Sequence, residues 1–418
     1  MKEKKRIAIV STYDELCGIA SYTKALVDNL RNHRSEIIYE VFNLDQFLLK
    51  SKSKSARLAA NKYIDKIAVT LSGYDHVNIQ LEYGTFGVLD VDILRRLRKI
   101  VKSSRSLSVT FHTIFYDDDD KRKFKFNLTA KKSSIQRRFL NLLEKYEKKK
   151  KLTLIVHSFY DYRYFKERLG FGSVEHHPLA YLSPHEVSVI NKSSSKNNFA
   201  QLKEIRNDAV IMGAFGFFSD YKGFEVAIKA LRLLPSNYIF CIFGGLHPNS
   251  IIKRPPGLVD KYLSGIVDSL GAGQKVYELF DNLSLPESLS NLSSLFDRSP
   301  LDIHDRVLFM GSLSDSEFPI AMELCDICLF PYYEVGQSSS GPISIANELG
   351  VPIIASRTKA FMRFEKYHKG RVKFFDVGNH IQLAQIIRSI EKGNRTFYPK
   401  DYNVDSLCQL YEGVFVGA

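Results

Sequence analysis

The densest set of groups that could bind phosphate lies between Phe330 and Ser356. A small polar loop, Gln337-Ser338-Ser339-Ser340-Gly341, comes directly before a helical pattern that starts at Pro342. Serine and proline are favoured where a helix begins, and the unpaired backbone amides of that first turn attract anions. Hydroxyls and amides of this loop would form a cradle for phosphate oxygens, although an ordinary capped helix start has the same pattern.

Two other passages from a strand into a helix carry groups that suit a diphosphate. One contains Gly216 and Lys222, and the other, near the N-terminus, contains Gly18. Glycine lets a ligand approach the backbone closely, and a lysine at a helix start supplies positive charge. An ordinary strand-to-helix turn would explain either passage equally well.

Residues that could hold a metal ion or act as a nucleophile form weaker patterns. The run Asp117–Asp120 comes directly before basic residues and indicates a solvated loop rather than a metal site. Cys325 and Cys328 have the spacing of half a zinc or redox site, but no second pair accompanies them, so we interpret them as core cysteines. His176 and His177 suit an acceptor contact or a structural role. There is no Gly-x-Ser-x-Gly elbow of a serine hydrolase.

Short apolar runs alternate with helical patterns along the chain, as parallel sheets require. Strands are predicted in the N-terminal half at Ile7–Ser11, Ile37–Phe42, Val77–Leu81, Leu107–His112 and Leu152–Val156. In the C-terminal half they are predicted at Ala209–Gly213, Tyr238–Phe243, Val307–Met310, Ile327–Pro331, Ile353–Ser356 and Val372–Phe375. The predicted fold class is α/β, with two doubly wound Rossmann-like domains facing across a cleft.

A polar stretch, Asn191–Asn198, interrupts this rhythm and marks the predicted junction. We predict an N-terminal domain of residues 1–187, a linker of residues 188–207 and a C-terminal domain of residues 208–395. Residues 396–418 form a final segment that can cross back to the N-terminal domain. The long stretch Pro255–Asp305 is expected to carry an inserted helix and a loop.

The composition is that of a globular protein, with 44% hydrophobic and 25% charged residues among 418. No apolar run approaches the roughly 20 residues that cross a bilayer as a helix. The N-terminal sequence lacks the pattern of a secretory signal, and the five cysteines form no disulfide framework. We therefore expect a cytoplasmic protein.

The positive charge is unevenly distributed. Residues 1–200 hold 37 Lys and Arg against 22 Asp and Glu, whereas residues 201–418 hold 22 against 24. A basic amphipathic helix is predicted at Ser134–Lys148, with Arg137, Arg138, Lys148 and Lys149 as candidates for docking to an anionic membrane surface or to an acceptor. A surface helix with solvated lysines would look the same. Nucleic acid is the weaker partner, because no nucleic-acid-binding motif accompanies the charge.

Taken in order, the motifs resemble the retaining, nucleotide-sugar-dependent glycosyltransferases of the GT-B fold, in particular glycosyltransferase family 4. The resemblance covers nearly the whole chain. It rests on the Gly18 loop, Ile79–Gly84, Thr110–Thr113, Val156–Ser158, His177-Pro178, Phe215–Gly223, Asp305–Gly311 and Phe330–Ser356.

The resemblance implies a role for each matching residue. Lys222 would bind the donor diphosphate, as would Gly18 from the other side. Gln337, Ser338, Ser339, Ser340 and Gly341 would bind the phosphates and the sugar of the donor. His112 would contact the transferred sugar and, with Glu82, forms the predicted catalytic pair, while Tyr83 and Ser158 would lie on the acceptor side. The family is also discussed as reacting by front-face attack without a metal ion, so no metal or other cofactor is expected.

Three positions depart from the family pattern. Gln337 and Ile345 stand where two glutamates separated by seven residues are usual, and Gly216 stands where an arginine is common. The second glutamate ordinarily holds the ribose. Glu334 or Glu348 would replace the missing carboxylates only with a shift of register. We interpret the chain as a variant subgroup of the family.

The sequence thus predicts a retaining glycosyltransferase that uses a nucleotide-sugar donor and a glycan or lipid-linked acceptor in cell-surface polysaccharide or glycoconjugate synthesis. It would be cytoplasmic and peripheral at the inner face of the membrane. Alternatives are a protein glycosyltransferase, a nucleotide-sugar epimerase, and a non-catalytic protein that binds a nucleotide-sugar or nucleic acid.

Overall fold

The structure is a computed structural model that describes residues 4–15, 17–116, 128–246, 261–270 and 303–417. The chain divides into two compact units. Unit 1 comprises Met1–Ser183, Gln337–Gly341 and Lys400–Ala418, and unit 2 comprises Pro184–Gly336 and Pro342–Pro399. Within the described residues, no helix is both long and apolar enough to cross a bilayer.

Unit 1 is built on a parallel sheet of six strands in the order β2-β1-β3-β4-β5-β6. The strands are β1 Arg6–Ser11, β2 Ile38–Asn43, β3 His76–Leu81, β4 Leu107–Phe111, β5 Leu152–Val156 and β6 Val174–His176. The helices between them are α1 Gly18–His33, α2 Gln46–Leu49, α3 Lys54–Leu71, α4 Asp90–Ser103, α5 Leu128–Glu147 and α6 Phe159–Arg163. Strands β3, β4 and β5 are buried along their whole length, as expected for a sheet covered on both faces.

Unit 2 contains a second parallel sheet of six strands, in the order β12-β11-β10-β7-β8-β9. The strands are β7 Val210–Phe215, β8 Tyr238–Phe243, β9 Val307–Gly311, β10 Ile327–Phe330, β11 Ile353–Ser356 and β12 Val372–Phe375. The helices are α7 Pro184–Ser193, α8 Ala200–Lys203, α9 Phe224–Leu231, α10 Lys261–Leu270, α11 Glu317–Glu323, α12 Gly341–Glu348, α13 Lys359–Glu365 and α14 His380–Arg388. Helix α12 begins at Gly341, the last residue of the loop assigned to unit 1.

The C-terminal helix α15, Val404–Val416, belongs to unit 1. It packs against α1, and the hydroxyl of Tyr411 lies 2.9 Å from Thr110 Oγ1 on β4. Glu412 of the same helix pairs with Arg34 at 2.9 Å. The C-terminal segment therefore covers part of the sheet of unit 1.

The prediction of two doubly wound parallel sheets is confirmed, because both sheets and their flanking helices are present. Strand β6 was not predicted, since three residues carry too little alternation to stand out from a loop. Residues predicted as a linker include most of α7 and all of α8. The inserted helix expected after Pro255 corresponds to α10, and the remainder of that stretch, apart from residues 303–305, lies outside the described residues.

Candidate functional site

Polar side chains on one face of the sheet of unit 1 lead to its carboxyl edge. Since side chains alternate along a strand, His76, Asn78 and Gln80 of β3 share a face. Their neighbours on β4 are Ser108 and Thr110, and all five side chains are buried. Asn78 donates to Ser108 Oγ at 2.9 Å, and Gln80 Nε2 donates to Asn78 Oδ1 at 2.7 Å. The amide oxygen of Gln80 is therefore left facing the end of β4.

His112 lies at that end, one residue beyond β4. Its Nε2 is 2.8 Å from Gln80 Oε1, and its Nδ1 is 3.2 Å from Nε2 of His157, which follows β5. An amide oxygen can only accept, so His112 Nε2 carries the proton and Nδ1 of the neutral ring holds a lone pair. His157 Nδ1 lies 3.2 Å from the backbone oxygen of His177, so a neutral His157 can donate only through one of its two ring contacts. Both ring nitrogens of His112 are therefore engaged within unit 1.

Burial keeps this histidine pair neutral near pH 7. Desolvation lowers the pKa of His112 well below its ordinary value and lowers the pKa of His157 to about 4. The ring of Tyr22 packs edge-on against both, with centroid distances of 5.3 Å to His112 and 5.8 Å to His157. His112 is thus a fixed, uncharged group rather than a ready general base.

The loop Gln337–Gly341, called the serine loop below, packs at the same edge of unit 1. Ser338 Oγ donates to the backbone oxygen of His112 at 2.7 Å. A Cβ at Gly341 would collide with the hydroxyl of Tyr181, so a larger residue there would require the Tyr181 side chain to shift. The buried hydroxyl of Ser340 has no hydrogen-bond partner among the described residues. The structure therefore brings Ser338 into contact with His112, and Ser340 and Gly341 follow in the same loop.

Gln337 and Ser339 complete the loop. The Gln337 amide donates to the backbone oxygen of Ser339 at 2.6 Å and so closes the loop on itself. Ile345, at the position of the second family glutamate, is partly buried on α12. Glu334 accepts from the backbone amides of Gly336 and Lys359 at 2.9 and 2.7 Å, which commits its carboxylate to capping α13.

Glu82 of the predicted catalytic pair and the predicted acceptor-side residues Tyr83 and Ser158 occupy different environments. Glu82 follows β3 and accepts a hydrogen bond from Thr113, the residue after His112. Tyr83 is buried against Phe115 and Phe139, and burial raises its pKa well above the ordinary value. Ser158 caps α6 by accepting from the backbone amide of Asp161 at 3.1 Å. Of these three, Glu82 lies nearest to His112 in the register.

Gly18 begins α1, and Cys17 caps that helix by accepting from the amide of Ala20 at 3.4 Å. A Cβ placed on Gly18 would meet no atom within 4 Å. The described residues therefore do not require glycine at this position, and the contact of Gly18 with a donor diphosphate stays a prediction.

In unit 2, Lys222 ends a short turn beyond the carboxyl end of β7. Its side chain is buried, and Nζ donates to the hydroxyl of Tyr332 at 2.5 Å and lies 4.1 Å from the centre of that ring. No carboxylate among the described residues forms an ion pair with it. Burial lowers its pKa from 10.5 to about 7. A buried ammonium without a counter-charge is suited to bind an anion.

Two glycines shape the turn around Lys222. Gly223 has φ +62°, and a Cβ there would collide with the backbone oxygen of Pro331. Gly216 has φ +119°, and a Cβ there would lie 2.9 Å from Lys222 Nζ. The lysine therefore passes directly beside the position where the family carries an arginine.

The four basic residues predicted for docking, Arg137, Arg138, Lys148 and Lys149, are all exposed on α5 or just after it. The apolar side chains of α5, such as Phe139 and Leu143, are fully buried in the core of unit 1. The helix is thus a surface helix that offers charge to solvent, and its apolar stripe is already covered. Lys148 also pairs with Glu144 at 3.0 Å.

No cluster of three or more metal-ligating side chains occurs among the residues that the structure describes. The Asp117–Asp120 run lies outside them. Cys325 and Cys328 are fully buried free thiols, as predicted. Gln80 and His157 lie in the motifs Ile79–Gly84 and Val156–Ser158, but the sequence analysis assigned them no role. The available signal was polar residues at alternate positions of an otherwise apolar strand and a second histidine at a strand end.

No family model matches the sequence, and no curated protein matches it. Solved structures do. The HepE protein of Anabaena in complex with UDP is 15% identical, with a TM-score of 0.60 over 99% of this chain and 100% of that one. Sucrose-phosphate synthase of Thermosynechococcus elongatus gives the same four values. The UDP-forming α,α-trehalose-phosphate synthase of Burkholderia xenovorans is 10% identical, with a TM-score of 0.59 over 99% and 100%. The chain shares their GT-B fold.

Proposed function

We propose that the protein is a retaining glycosyltransferase that moves a sugar from a nucleoside diphosphate sugar to a glycan or lipid-linked acceptor. The observation that carries the proposal is Lys222, a buried ammonium with no carboxylate partner among the described residues, at the carboxyl end of a parallel sheet. The buried, unpartnered hydroxyl of Ser340 supports it, because such a group fits a ligand oxygen.

Sugar transfer requires stabilisation of the negative charge that develops on the leaving diphosphate. The bond between the anomeric carbon and the diphosphate oxygen breaks, and the acceptor hydroxyl bonds to that carbon on the same face. Its proton passes to the departing phosphate oxygen. We assign the developing charge to Lys222 of unit 2. In unit 1, Gly18 and the serine loop offer backbone amides and hydroxyls to phosphate and sugar oxygens. No side-chain base is needed, which agrees with the engaged ring nitrogens of His112.

We further propose that transfer needs no metal ion and that the protein works in the cytoplasm at the inner face of a membrane. A protein acceptor or an anionic glycan would use the same basic unit. A nucleotide-sugar epimerase is a weaker alternative than a glycosyltransferase, because epimerisation gives the positive charge of residues 1–200 no role.

The first experiment measures calorimetric binding of UDP, GDP, ADP, CMP and dTDP, each with magnesium and with a chelator. One nucleotide should bind selectively in both conditions. Lys222→Ala should weaken that binding roughly 10- to 100-fold, because a charge-assisted hydrogen bond is lost. Lys229→Ala on the exposed side of α9 is the matched control. An unchanged nucleotide affinity in Lys222→Ala would show that Lys222 is not part of the donor site.

Release of sugar from the matching donor separates an enzyme from a binding protein. We expect transfer or slow hydrolysis of the selected nucleotide-sugar by the wild-type chain. Tight binding with no turnover toward any offered acceptor would favour the non-catalytic alternative, for which the missing glutamate pair is the motivation.

A further inference from the structure

Helix α2 carries one of the most exposed large apolar side chains in the described part of unit 1. Phe47 is 94% exposed, although its neighbours Leu48 and Leu49 pack into the core. A phenylalanine held in water is unfavourable by roughly the transfer energy of its ring. Its position on a short helix directly after β2 calls for an apolar partner.

The helix is rigidly anchored, so Phe47 is held in position rather than loose. The buried amide of Gln46 donates to the backbone oxygen of Thr85 at 2.9 Å. The guanidinium of Arg96 donates to the backbone oxygens of Leu49 at 3.2 Å and Phe86 at 2.6 Å. One buried arginine thus ties the end of α2 to the turn that follows Glu82.

That turn leads into a second exposed apolar segment. Val88 is 43% exposed, Leu89 40% and Val91 62%. The hydrogen bonds of Gln46 and Arg96 to Thr85 and Phe86 place this segment next to α2. We call Phe47, Val88, Leu89 and Val91 the apolar tip.

Basic residues follow the apolar tip directly. Lys52 and Lys54 are exposed and Lys50 is partly exposed, each separated from the next by a serine. None of the three forms an ion pair with a described residue. The nearby Asp92 is occupied by Arg57 at 2.6 Å, and Asp45 caps α2. Lys50, Lys52 and Lys54 outnumber the neighbouring carboxylates of Asp45 and Asp90, so exposed apolar side chains lie beside a small net positive charge.

We infer that this face, the apolar tip with Lys50, Lys52 and Lys54, docks unit 1 on an anionic lipid bilayer. Apolar side chains that enter the interface beside lysines that meet lipid phosphates are the features of such contacts. A protein partner fits less well, because lysine is depleted from protein interfaces and a stable one buries about 800 Å² on each side. This docking surface rests on the proposed membrane location of the protein and names the residues that would contact the bilayer.

This face differs from α5 in the kind of side chain that it exposes. Helix α5 offers charge alone, since Phe139 and Leu143 are buried in the core. Binding through α5 would vanish when salt screens its charges, whereas insertion of Phe47 would persist in part. The two sites therefore predict different responses to the same substitutions.

The chain contains no tryptophan, so one introduced residue can report on its own surroundings. Phe47→Trp should show a blue-shifted emission with phosphatidylglycerol-containing vesicles and quenching by brominated lipids. The matched control is Phe397→Trp, because Phe397 is 93% exposed in unit 2. Its emission should not change. An unshifted emission at position 47 would overturn the inference.

Vesicle sedimentation supplies the second measurement. Phe47→Ser should weaken binding roughly tenfold, also at high salt where charge is screened. Replacement of the three lysines by glutamine should weaken it at low salt, and the same change at Arg137, Arg138, Lys148 and Lys149 should have a smaller effect. Failure of the wild type to bind anionic vesicles, or loss of binding only in the α5 variant, contradicts the inference. Nucleotide binding, measured separately, stays unaffected by all these variants, so failure of the donor site is distinguishable.

Discussion

A buried lysine without a carboxylate lowers the stability of the unliganded protein, because its ammonium leaves water without a counter-charge. Lys222 has a folded pKa of about 7 against an ordinary 10.5. Between these values the unfolded chain holds a proton that the folded protein lacks, so the free energy of unfolding rises with pH from 7 to 10.5. Function and stability oppose each other at this residue.

Lys222→Met should therefore raise the free energy of unfolding at pH 7 while it removes nucleotide binding. The rise should be on the order of a few kcal/mol, as expected when a buried unpaired charge is replaced by an apolar chain. Denaturation by urea at pH 7 and pH 9.5 measures it, and the gain should shrink at the higher pH. Lys229→Met should show neither effect, and a destabilised Lys222→Met would contradict the argument.

The buried histidines predict a pH dependence of the same sign at lower pH. Burial lowers the folded pKa of His157 to about 4 and of His76 to about 3, against an ordinary 6.5. As pH falls below 6.5, the unfolded chain takes up protons that the folded protein cannot, so the free energy of unfolding should fall between pH 6.5 and 4. His157 alone should account for a loss on the order of 3 kcal/mol by pH 4.

Urea denaturation of His157→Gln at pH 7 and pH 4.5 checks this. The variant should lose less free energy of unfolding between the two values than the wild type does. The matched control is His185→Gln at an exposed position, which should follow the wild type. If the free energy of unfolding changed with pH equally in His157→Gln and the wild type, folding would leave the pKa of His157 unchanged.

At the scale of elements, the helix α15 connects the end of the chain to the polar face of the sheet of unit 1. Tyr411 contacts Thr110 at 2.9 Å and Tyr22 at 3.3 Å through its hydroxyl, and Ser406 contacts His177 at 2.8 Å. These bonds hold the hydrogen-bonded polar side chains of β3 and β4 that lead to His112. The helix therefore supports the candidate site from the polar face of the sheet.

Tyr411→Phe removes the hydroxyl and keeps the ring. The free energy of unfolding should fall by about 1–2 kcal/mol, because buried polar partners lose a hydrogen bond. Urea denaturation measures this, with Tyr160→Phe at an exposed position as the control. An equal free energy of unfolding in the two variants would mean that the polar side chains of β3 and β4 do not depend on α15.

Buried strands of four to six residues were predictable, because each is a short apolar run bounded by polar or turn-forming residues. The predicted bounds of β5, β8, β11 and β12 agree with the structure. Contacts between distant strand ends were not predictable, since they depend on strand order. His112 meets His157 only because β4 and β5 are neighbours in the sheet. Likewise, the exposure of Phe47 cannot be read from an apolar run in which Leu48 and Leu49 are buried.

At the scale of the whole molecule, the two halves of the chain differ in charge. The first 200 residues hold 37 basic and 22 acidic residues, and the remainder hold 22 and 24. Surface charges are screened by salt, because the Debye length falls from about 10 Å at 0.1 M to about 3 Å at 1 M. A buried cation such as Lys222 is shielded from ions and responds less.

The two proposed interactions should therefore separate when salt is raised from 0.1 to 0.5 M. Binding to anionic vesicles should weaken roughly tenfold or more, whereas nucleotide affinity should change less than about threefold. Parallel titrations by sedimentation and calorimetry measure both in the same protein. A nucleotide affinity that fell as steeply as vesicle binding would place the nucleotide on the exposed basic surface instead of at Lys222. Vesicle binding that ignored salt would leave the charge asymmetry without a part in docking, and the apolar tip would have to act alone.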